Sequence, residues 1–400
     1  MLNENIIVDH FYLPTQKHAL SPASDREQHL NLHIQAFTCP EDVIREWKEL
    51  EQFAQDSFSR PSWALAWYEA HKNDINCSPV IILGLDANRK PAFLLPLFRR
   101  RFGLFNILVR PGMKHSAYFG CLFTPEWREK IRAENGAEFW SSVFSAIPGI
   151  DAVLIDGLSA AEAEHDNPLN LLPLLRSRSP AFRMPIKENW PQQYNSMIKS
   201  KVRSNDRRCL KRLAELGTLK YHVAANKQEK REFLSTLFAQ KSEQFDVIGI
   251  SDPYEKSEIQ AFYRNLVEID EGQKSPSTFI SALMLNGEPV AINLGLIQGD
   301  QLHGLVMSMK TGSLKRFAPG RQLLIQTNQY LSDNGISAHD FGTGELSYKD
   351  DWCEEVIERN HVLAPLNFKG IFLVNMIRLA SKAKGKIKRF SLIKKLFQKF

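Results

Sequence analysis

Cysteine is scarce in this chain of 400 residues, and its spacing is uninformative for metal binding. The five cysteines, Cys39, Cys77, Cys121, Cys209 and Cys353, are far apart and form no C-x-x-C pair. A disulfide framework and a cysteine zinc site are both excluded, and a reducing compartment fits. His29 and His33 would share one strand face, but no further ligand stands near them in sequence, so no metal is expected. Long apolar runs are missing too. The stretch IFLVNMI at 371–377 is far too short to span a bilayer. The opening MLNENIIVDHF has neither the basic region nor the apolar run of a secretion signal, so a cytoplasmic location is expected. HDFG at 339–342 has no glycine-rich loop and lysine strand to accompany it, which removes a kinase reading. Acid is absent from residues 366–400, which hold ten Lys/Arg and no Asp/Glu. The remaining 41 basic and 45 acidic residues give the body a net charge of −4.

What is present is a repeat. PVIILGLDANRKPAFLLPLF (79–98) and TFISALMLNGEPVAINLGLI (278–297) each read as apolar run, tight turn, Pro and second apolar run, the pattern of a β-hairpin. LNLHIQAF (30–37) leads into a helical pattern, as LKYHVAAN (219–226) does. PGIDAVLIDGL and NGISAHDFGTG close the two copies. Positions 33 and 222, 91 and 289, and 149 and 335 correspond at similar separations. Same order and spacing argue for two copies of one domain. Each copy is strand, helix, helix, three strands, helix, strand, an α/β unit on a mixed sheet. The expected organisation is an extension 1–29, a first domain 30–190, a second domain 191–365 and a basic tail 366–400.

RFAPGRQLLIQ (316–326) lies between an alternating strand pattern, QLHGLVMSM, and a helical one that stops at Asn334-Gly335. A strand–Gly–helix junction offers unpaired amides to an anion. The first copy has TPEWREKI at the matching place, with no glycine and with Glu126, which would repel a phosphate.

The element order resembles the GNAT acyltransferase fold. Residues 30–365 resemble the tandem-GNAT acyltransferases of the CelD kind, associated with cellulose biosynthesis and related to Fem-type aminoacyltransferases. The resemblance is carried by RPSWALAWYEAH, KVRSNDRRCLKRLAELG, RFAPGRQLL and HDFGTGELSYKDDW. Phe119-Gly120 departs from it, since an acid usually follows the tyrosine there. The resemblance implies that the second copy holds acyl-CoA, with acetyl-CoA as the type donor. Arg316, Gly320, Arg321 and Gln322, with Met307 and Met309 on the strand before them, are the candidate donor residues. Acyl transfer to an amine requires a base for the amine, polarisation of the thioester and an acid for the thiolate. Glu345 or Asp340 could take the proton, Tyr348 could donate to the thiolate, and Lys349 could stabilise the oxyanion or a donor phosphate. His115, Tyr118 and His303 are candidate acceptor contacts.

Two basic segments remain. In 195–217, Ile198, Val202, Cys209, Leu213 and Leu216 form an apolar stripe and seven Lys/Arg cover the remainder. Such a helix suits a polyanion, either CoA phosphates or a tRNA. In KAKGKIKRFSLIKKLFQKF, apolar residues recur every three or four positions among lysines, as in a helix lying on an anionic membrane. The readings carried forward are an acyl-CoA-dependent N-acyltransferase acting on an amino sugar or similar amine in envelope assembly, an aminoacyl-tRNA-dependent transferase, and a non-catalytic scaffold of a polysaccharide synthase.

Overall fold

The computed structural model describes residues 32–133, 136–160, 167–172, 174–177, 179–269, 277–344 and 352–383. From its start the chain forms β1 (His33–Phe37), α1 (Ile44–Leu50), α2 (Pro61–Ala70), β2 (Cys77–Leu85), β3 (Pro91–Phe102), β4 (Phe105–Val109) and the short β5 (Leu122–Phe123). α3 (Pro125–Ala133), α4 (Gly136–Ser145), β6 (Ala152–Ser159) and β7 (Leu174–Arg176) follow. The second series is β8 (Ala181–Pro185), α5 (Trp190–Met197), α6 (Ser200–Ala214), β9 (Leu219–Val223), α7 (Lys227–Ile248), α8 (Ser257–Ile269), β10 (Ser277–Leu285), β11 (Glu288–Gln298) and β12 (Gln301–Met309). It ends with α9 (Pro319–Asp333), β13 (Ala338–Thr343) and β14 (Glu355–Ile357), after which come β15 (Arg359–Pro365) and α10 (Phe368–Ala383).

The two sheets are orderings of equivalent strands. One runs β1-β2-β3-β4-β6-β15-β7, with β5 beside β3, and the other β9-β10-β11-β12-β13-β8-β14. β4 pairs parallel with β6, and β12 with β13, while the hairpins are antiparallel. The turns explain the hairpins. Asn286 and Gly287 both have positive φ (52° and 83°), the conformation that a two-residue primed turn requires. In the first copy, Asp86 accepts from the amides of Asn88 and Lys90, which closes the longer DANRK turn.

β8 and β15 occupy matching places in opposite sheets. β8, the last strand written before the second copy, pairs with β13 of the second sheet. β15, written after the second copy, pairs with β6 and β7 of the first. One compact unit therefore takes the described residues up to Pro180 together with those from Ile357 onward, and the other is Ala181–Val356. The expected divisions at 190/191 and 365/366 fall elsewhere because each strand completes the sheet that offers it an open edge. The expected tail also begins later than 366. Asn367 donates to the Ile150 carbonyl and to Asp151, and Gly370 lies so close to the Asp151 carbonyl that a Cβ would sit 1.8 Å from it. Leu373 and Val374 are buried, which makes α10 part of the first unit.

The first core is aromatic, with Phe93, Phe123, Trp140 and Phe144 fully buried around Leu95 and Leu158. The second unit has two clusters, one around Phe279, Leu302 and Leu324, the other around Leu283, Val290 and Leu323. Helix ends follow sequence. Asn226 caps α7 by accepting from the Glu229 amide, and the helix stops at Gly249 with φ 68°. α9 ends at Asn334-Gly335, where the Ile336 amide reaches back to the Leu331 carbonyl.

Candidate functional site

In the second unit, β12 and β13 are paired only at Gln301–His303 against Ala338–Asp340. Beyond that point β12 runs on to Met309 and β13 to Thr343. Among the described residues no ladder joins these extensions, so the two parallel strands part beyond His303 and Asp340. Two glycines accompany the parting. A Cβ on Gly295 would meet the His303 carbonyl at 2.7 Å, and one on Gly304 the Asp340 carbonyl at 3.1 Å. β11 and β12 also shift register between Leu294 and Gly295, a bulge that re-aims β12.

From Met309 the chain makes one short helical turn, passes Ala318 in the left-handed region (φ 49°) and enters α9 at Pro319. Such a conformation costs alanine about 1 kcal/mol, a strain held at this junction by its surroundings. Pro319 has no amide to lose, and the amides of Gly320 and Arg321 open the helix. Met307 and Met309 lie under that first turn. A Cβ at Gly320 would be 3.3 Å from the Met309 sulfur and 3.7 Å from the Met307 methyl group. The structure thus brings Gly320, Met307 and Met309 together.

It directs Arg321 elsewhere. Arg321 Nε donates to both carboxylate oxygens of buried Asp206 at 2.8 and 3.0 Å, and its guanidinium lies 4.8 Å over the Trp352 ring. Gln322 donates to the Asp206 carbonyl at 3.1 Å, and the Tyr194 hydroxyl to the Asp206 carboxylate at 2.6 Å. Burial and that carboxylate raise the Tyr194 hydroxyl well above its ordinary pKa. Trp352 stacks on Trp190 at 6.0 Å and lies against Tyr194. Arg321 and Gln322, expected at a donor phosphate, instead tie the first turn of α9 to α6 and α5. Sequence reasoning missed Asp206, although a signal was present. It is an acid at a position continuous with the apolar stripe Val202, Cys209 and Leu213, at helical spacing. Arg316 lies over the Phe317 ring at 4.8 Å, on the turn before the helix.

Asp340 is buried at the last paired position, accepts from the Gly342 amide at 2.6 Å and stands 3.8 Å from Arg183 Nε. His303, its register partner on β12, is also buried. Glu345, Tyr348 and Lys349 lie outside the described residues; that segment ends on Trp352, which the Arg321 network fixes.

The corresponding place in the first unit is filled. β4 and β6 pair at Ile107–Leu108 with Ala152–Val153, then the chain turns back and the Phe119 amide bonds the Gly157 carbonyl of β6. Buried Arg110 holds this segment, donating to Asp156 (Nη2–Oδ2 2.9 Å), to the Ser116 hydroxyl and carbonyl, and to the Tyr118 carbonyl. Partial burial would raise the Asp156 carboxyl, but the Arg110 charge and its hydrogen bonds prevail and hold it at about 2. Of the two residues read as acceptor contacts, Tyr118 is buried here and His115 is half-buried on a short turn. Tyr118 packs near Phe58, and His115 lies by Trp67. Burial, and then the charges of Lys114 and Arg110, push the His115 imidazole down to about 3.

Among the described residues no three His, Cys, Asp or Glu side chains cluster as metal ligands, and no helix is long and apolar enough to cross a membrane.

Residues 200–350 match the family described as "Acetyltransferase (GNAT) domain". The second unit carries an acyltransferase domain of the GNAT type. FemX is similar in structure, with a TM-score of 0.54 at 11% identity over 82% of this chain and 96% of that one, which is a likeness of fold. L-PGS from Bacillus licheniformis gives 0.48 at 12% identity (84% of this chain, 96% of that one). A tandem GNAT protein from the clavulanic acid pathway gives 0.46 at 8% (84% and 99%). No curated protein matches the sequence. The architecture is two GNAT-like mixed α/β units, as the repeat in the sequence led one to expect.

Proposed function

We propose that the protein is an acyl-CoA-dependent N-acyltransferase whose donor site is the parted β12–β13 pair and the first turn of α9. One observation carries this reading. Two parallel strands separate beside Gly295 and Gly304, and β12 leads into a helix that opens with the amides of Gly320 and Arg321. The facing strand edges suit the amide-bearing arm of a pantetheine, and the helix start suits its pyrophosphate. Among relatives of the CelD kind the acceptor would be an amino sugar or similar amine in envelope polysaccharide or lipid assembly. The amine attacks the thioester carbonyl, the tetrahedral oxyanion collapses, and the thiolate leaves with a proton. Asp340 already accepts from the Gly342 amide, so Glu345 is the better candidate to take the amine proton, with Asp340 shaping the turn. Tyr348 would protonate the thiolate and Lys349 stabilise the oxyanion. The basic tail 383–400 would hold the protein to the inner face of a membrane.

The exposed bases of α6, Lys201, Arg207, Arg208, Lys211 and Arg212, favour a second reading in which the donor is an aminoacyl-tRNA. Asp206 is turned inward, so that face carries no balancing acid at its centre.

The test is a thermal-shift series with acetyl-CoA, longer acyl-CoAs and charged tRNA, followed by thiol release with amine acceptors. A ligand that binds the native state alone raises its stability. Acyl-CoA should raise the melting temperature and release thiol. Stabilisation by charged tRNA alone, steeply weakened by salt, would transfer the proposal to the second reading. No stabilisation by either would leave a scaffold.

A further inference from the structure

α10 is apolar on two sides. Its inner side, with Gly370, Leu373 and Val374, is packed on the first unit. Its outer side carries Phe368, Phe372 and Leu379, spaced four and seven residues apart, at 91%, 59% and 68% exposure. Ile371 is exposed beside them. The hairpin between β3 and β4 extends this surface. Gly103 turns there with φ 57°, Leu104 is 79% exposed, and Phe105 stacks on Phe372 at 6.3 Å. A folded helix that exposes two phenylalanines and a leucine, beside an exposed leucine on a neighbouring turn, lacks an occupant.

Charge identifies the occupant. Lys369 flanks the apolar stripe on one side and Arg378 on the other, and Arg101 sits at the hairpin end, bonded to the Gly103 carbonyl. From residue 366 onward the sequence holds bases and no acid. A second copy laid on this face would bring two such segments together, and the chain's own residues 384–400 carry the same sign. A bilayer surface rich in anionic headgroups satisfies both halves of the pattern. Phenyl and leucyl side chains enter the acyl boundary while the flanking cations stay among phosphates.

We propose that the outer face of α10, together with Leu104, is a docking surface for an anionic lipid bilayer. It would seat the first unit against the membrane directly, independently of the 383–400 tail and of whether the second unit transfers acyl groups.

The experiment is co-sedimentation of the full chain with vesicles of phosphatidylcholine alone or mixed with phosphatidylglycerol. The native chain should prefer the anionic vesicles. The triple variant Phe368→Ser/Phe372→Ser/Leu379→Ser should lose about tenfold or more in partitioning at an unchanged melting temperature, because each removed side chain faces solvent in the free protein. Ile75→Ser, an equally exposed apolar site (95%) on another loop, should bind as the native chain does. If the triple variant melts early, Leu104→Ser gives the second readout and should weaken binding severalfold. Native-like binding by both face variants would show that the tail alone anchors the chain and would overturn the proposal. So would equal binding to neutral and anionic vesicles, or a native dimer in sedimentation that the triple variant disperses.

Discussion

The two units start from one plan and differ at the same place. In the second unit β12 and β13 part after His303 and Asp340. In the first, the chain after β4 folds back beside β6, with Arg110 bridging Asp156, Ser116 and Tyr118. The following helices differ in the same sense. α9 begins Pro319-Gly320 and α3 begins Pro125-Glu126, so proline holds the first position in both while glycine and a carboxylate alternate at the second. Glu126 pairs with Lys130 at 2.6 Å. On the proposed reading, a duplicated fold keeps one wedge for a ligand and fills the other with its own chain. An Arg–Asp pair with one buried partner stands at each wedge: buried Arg110 against half-exposed Asp156 in the first unit, and Arg321 against buried Asp206 behind the second.

Breaking either brace should have the largest effect. Asp206→Ala leaves Arg321 and the Tyr194 hydroxyl without their shared acceptor, and Arg110→Met leaves the 110–119 segment without its staple. Removing one partner of a buried pair costs about 3–5 kcal/mol, the range expected for Asp206→Ala. Arg110→Met should cost less, because half-exposed Asp156 stays hydrated. Both are read as a lower midpoint in urea unfolding. The two variants should then separate. Asp206→Ala should also weaken acyl-CoA binding, since α9 loses its tie to α6, whereas Arg110→Met should not alter the affinity of the folded protein. Equal loss of donor affinity in both would show that the closed wedge is part of the donor site.

Exchanging the helix starts sharpens the comparison further. Gly320→Glu places the first unit's carboxylate at the open wedge and should lower acyl-CoA affinity by about 100-fold, by charge repulsion and by crowding Met309. Glu126→Gly should create no donor site, because the strand edges there are already occupied. Isothermal titration checks both, and near-normal binding by Gly320→Glu would remove the donor site from α9. Smaller again is the expected effect at the segment after β13. Tyr348→Phe and Lys349→Ala should each lower kcat by about tenfold with an unchanged Tm, as groups that act in the transition state do. A lower Tm with unchanged kcat would make them structural.

Much of this was legible in the sequence because it rests on local rules. The hairpins follow from Asn286-Gly287 and DANRK, the end of α9 from Asn334-Gly335, and the repeat from the order of patterns. The exchange of β8 and β15 was not legible. Both are short strands of ordinary composition, and which sheet edge receives them depends on contacts far apart in the chain. For the same reason Arg321 looked like a phosphate ligand. Its position beside Gly320 is local, but its partner Asp206 is 115 residues away. His115 was ambiguous in the same way, since a histidine on a strand-like segment reads the same whether it faces a cleft or a core.

His115 also supplies the smallest and most specific prediction. Burial holds its folded pKa at about 3, against an ordinary value near 6.5, so the folded state binds fewer protons than the unfolded chain between those limits. Stability should therefore be fully present above about pH 6.5 and fall as the pH drops towards 3, by at most about 1.4 kcal/mol per pH unit from this group. Asp156 works in the same direction at lower pH. Its folded pKa of about 2 lies below the unfolded value near 3.9, so its contribution is lost as the pH falls through that lower range. Between pH 6 and pH 4.5 the histidine thus acts apart from the carboxylate. His115→Gln, which keeps a polar planar group and cannot ionise, should flatten the dependence of the unfolding free energy on pH in that window. The effect should be confined to stability, with acyl-CoA affinity unchanged at pH 7. An unaltered slope would mean that His115 is hydrated enough to titrate normally, and the closed first wedge would then be open to water.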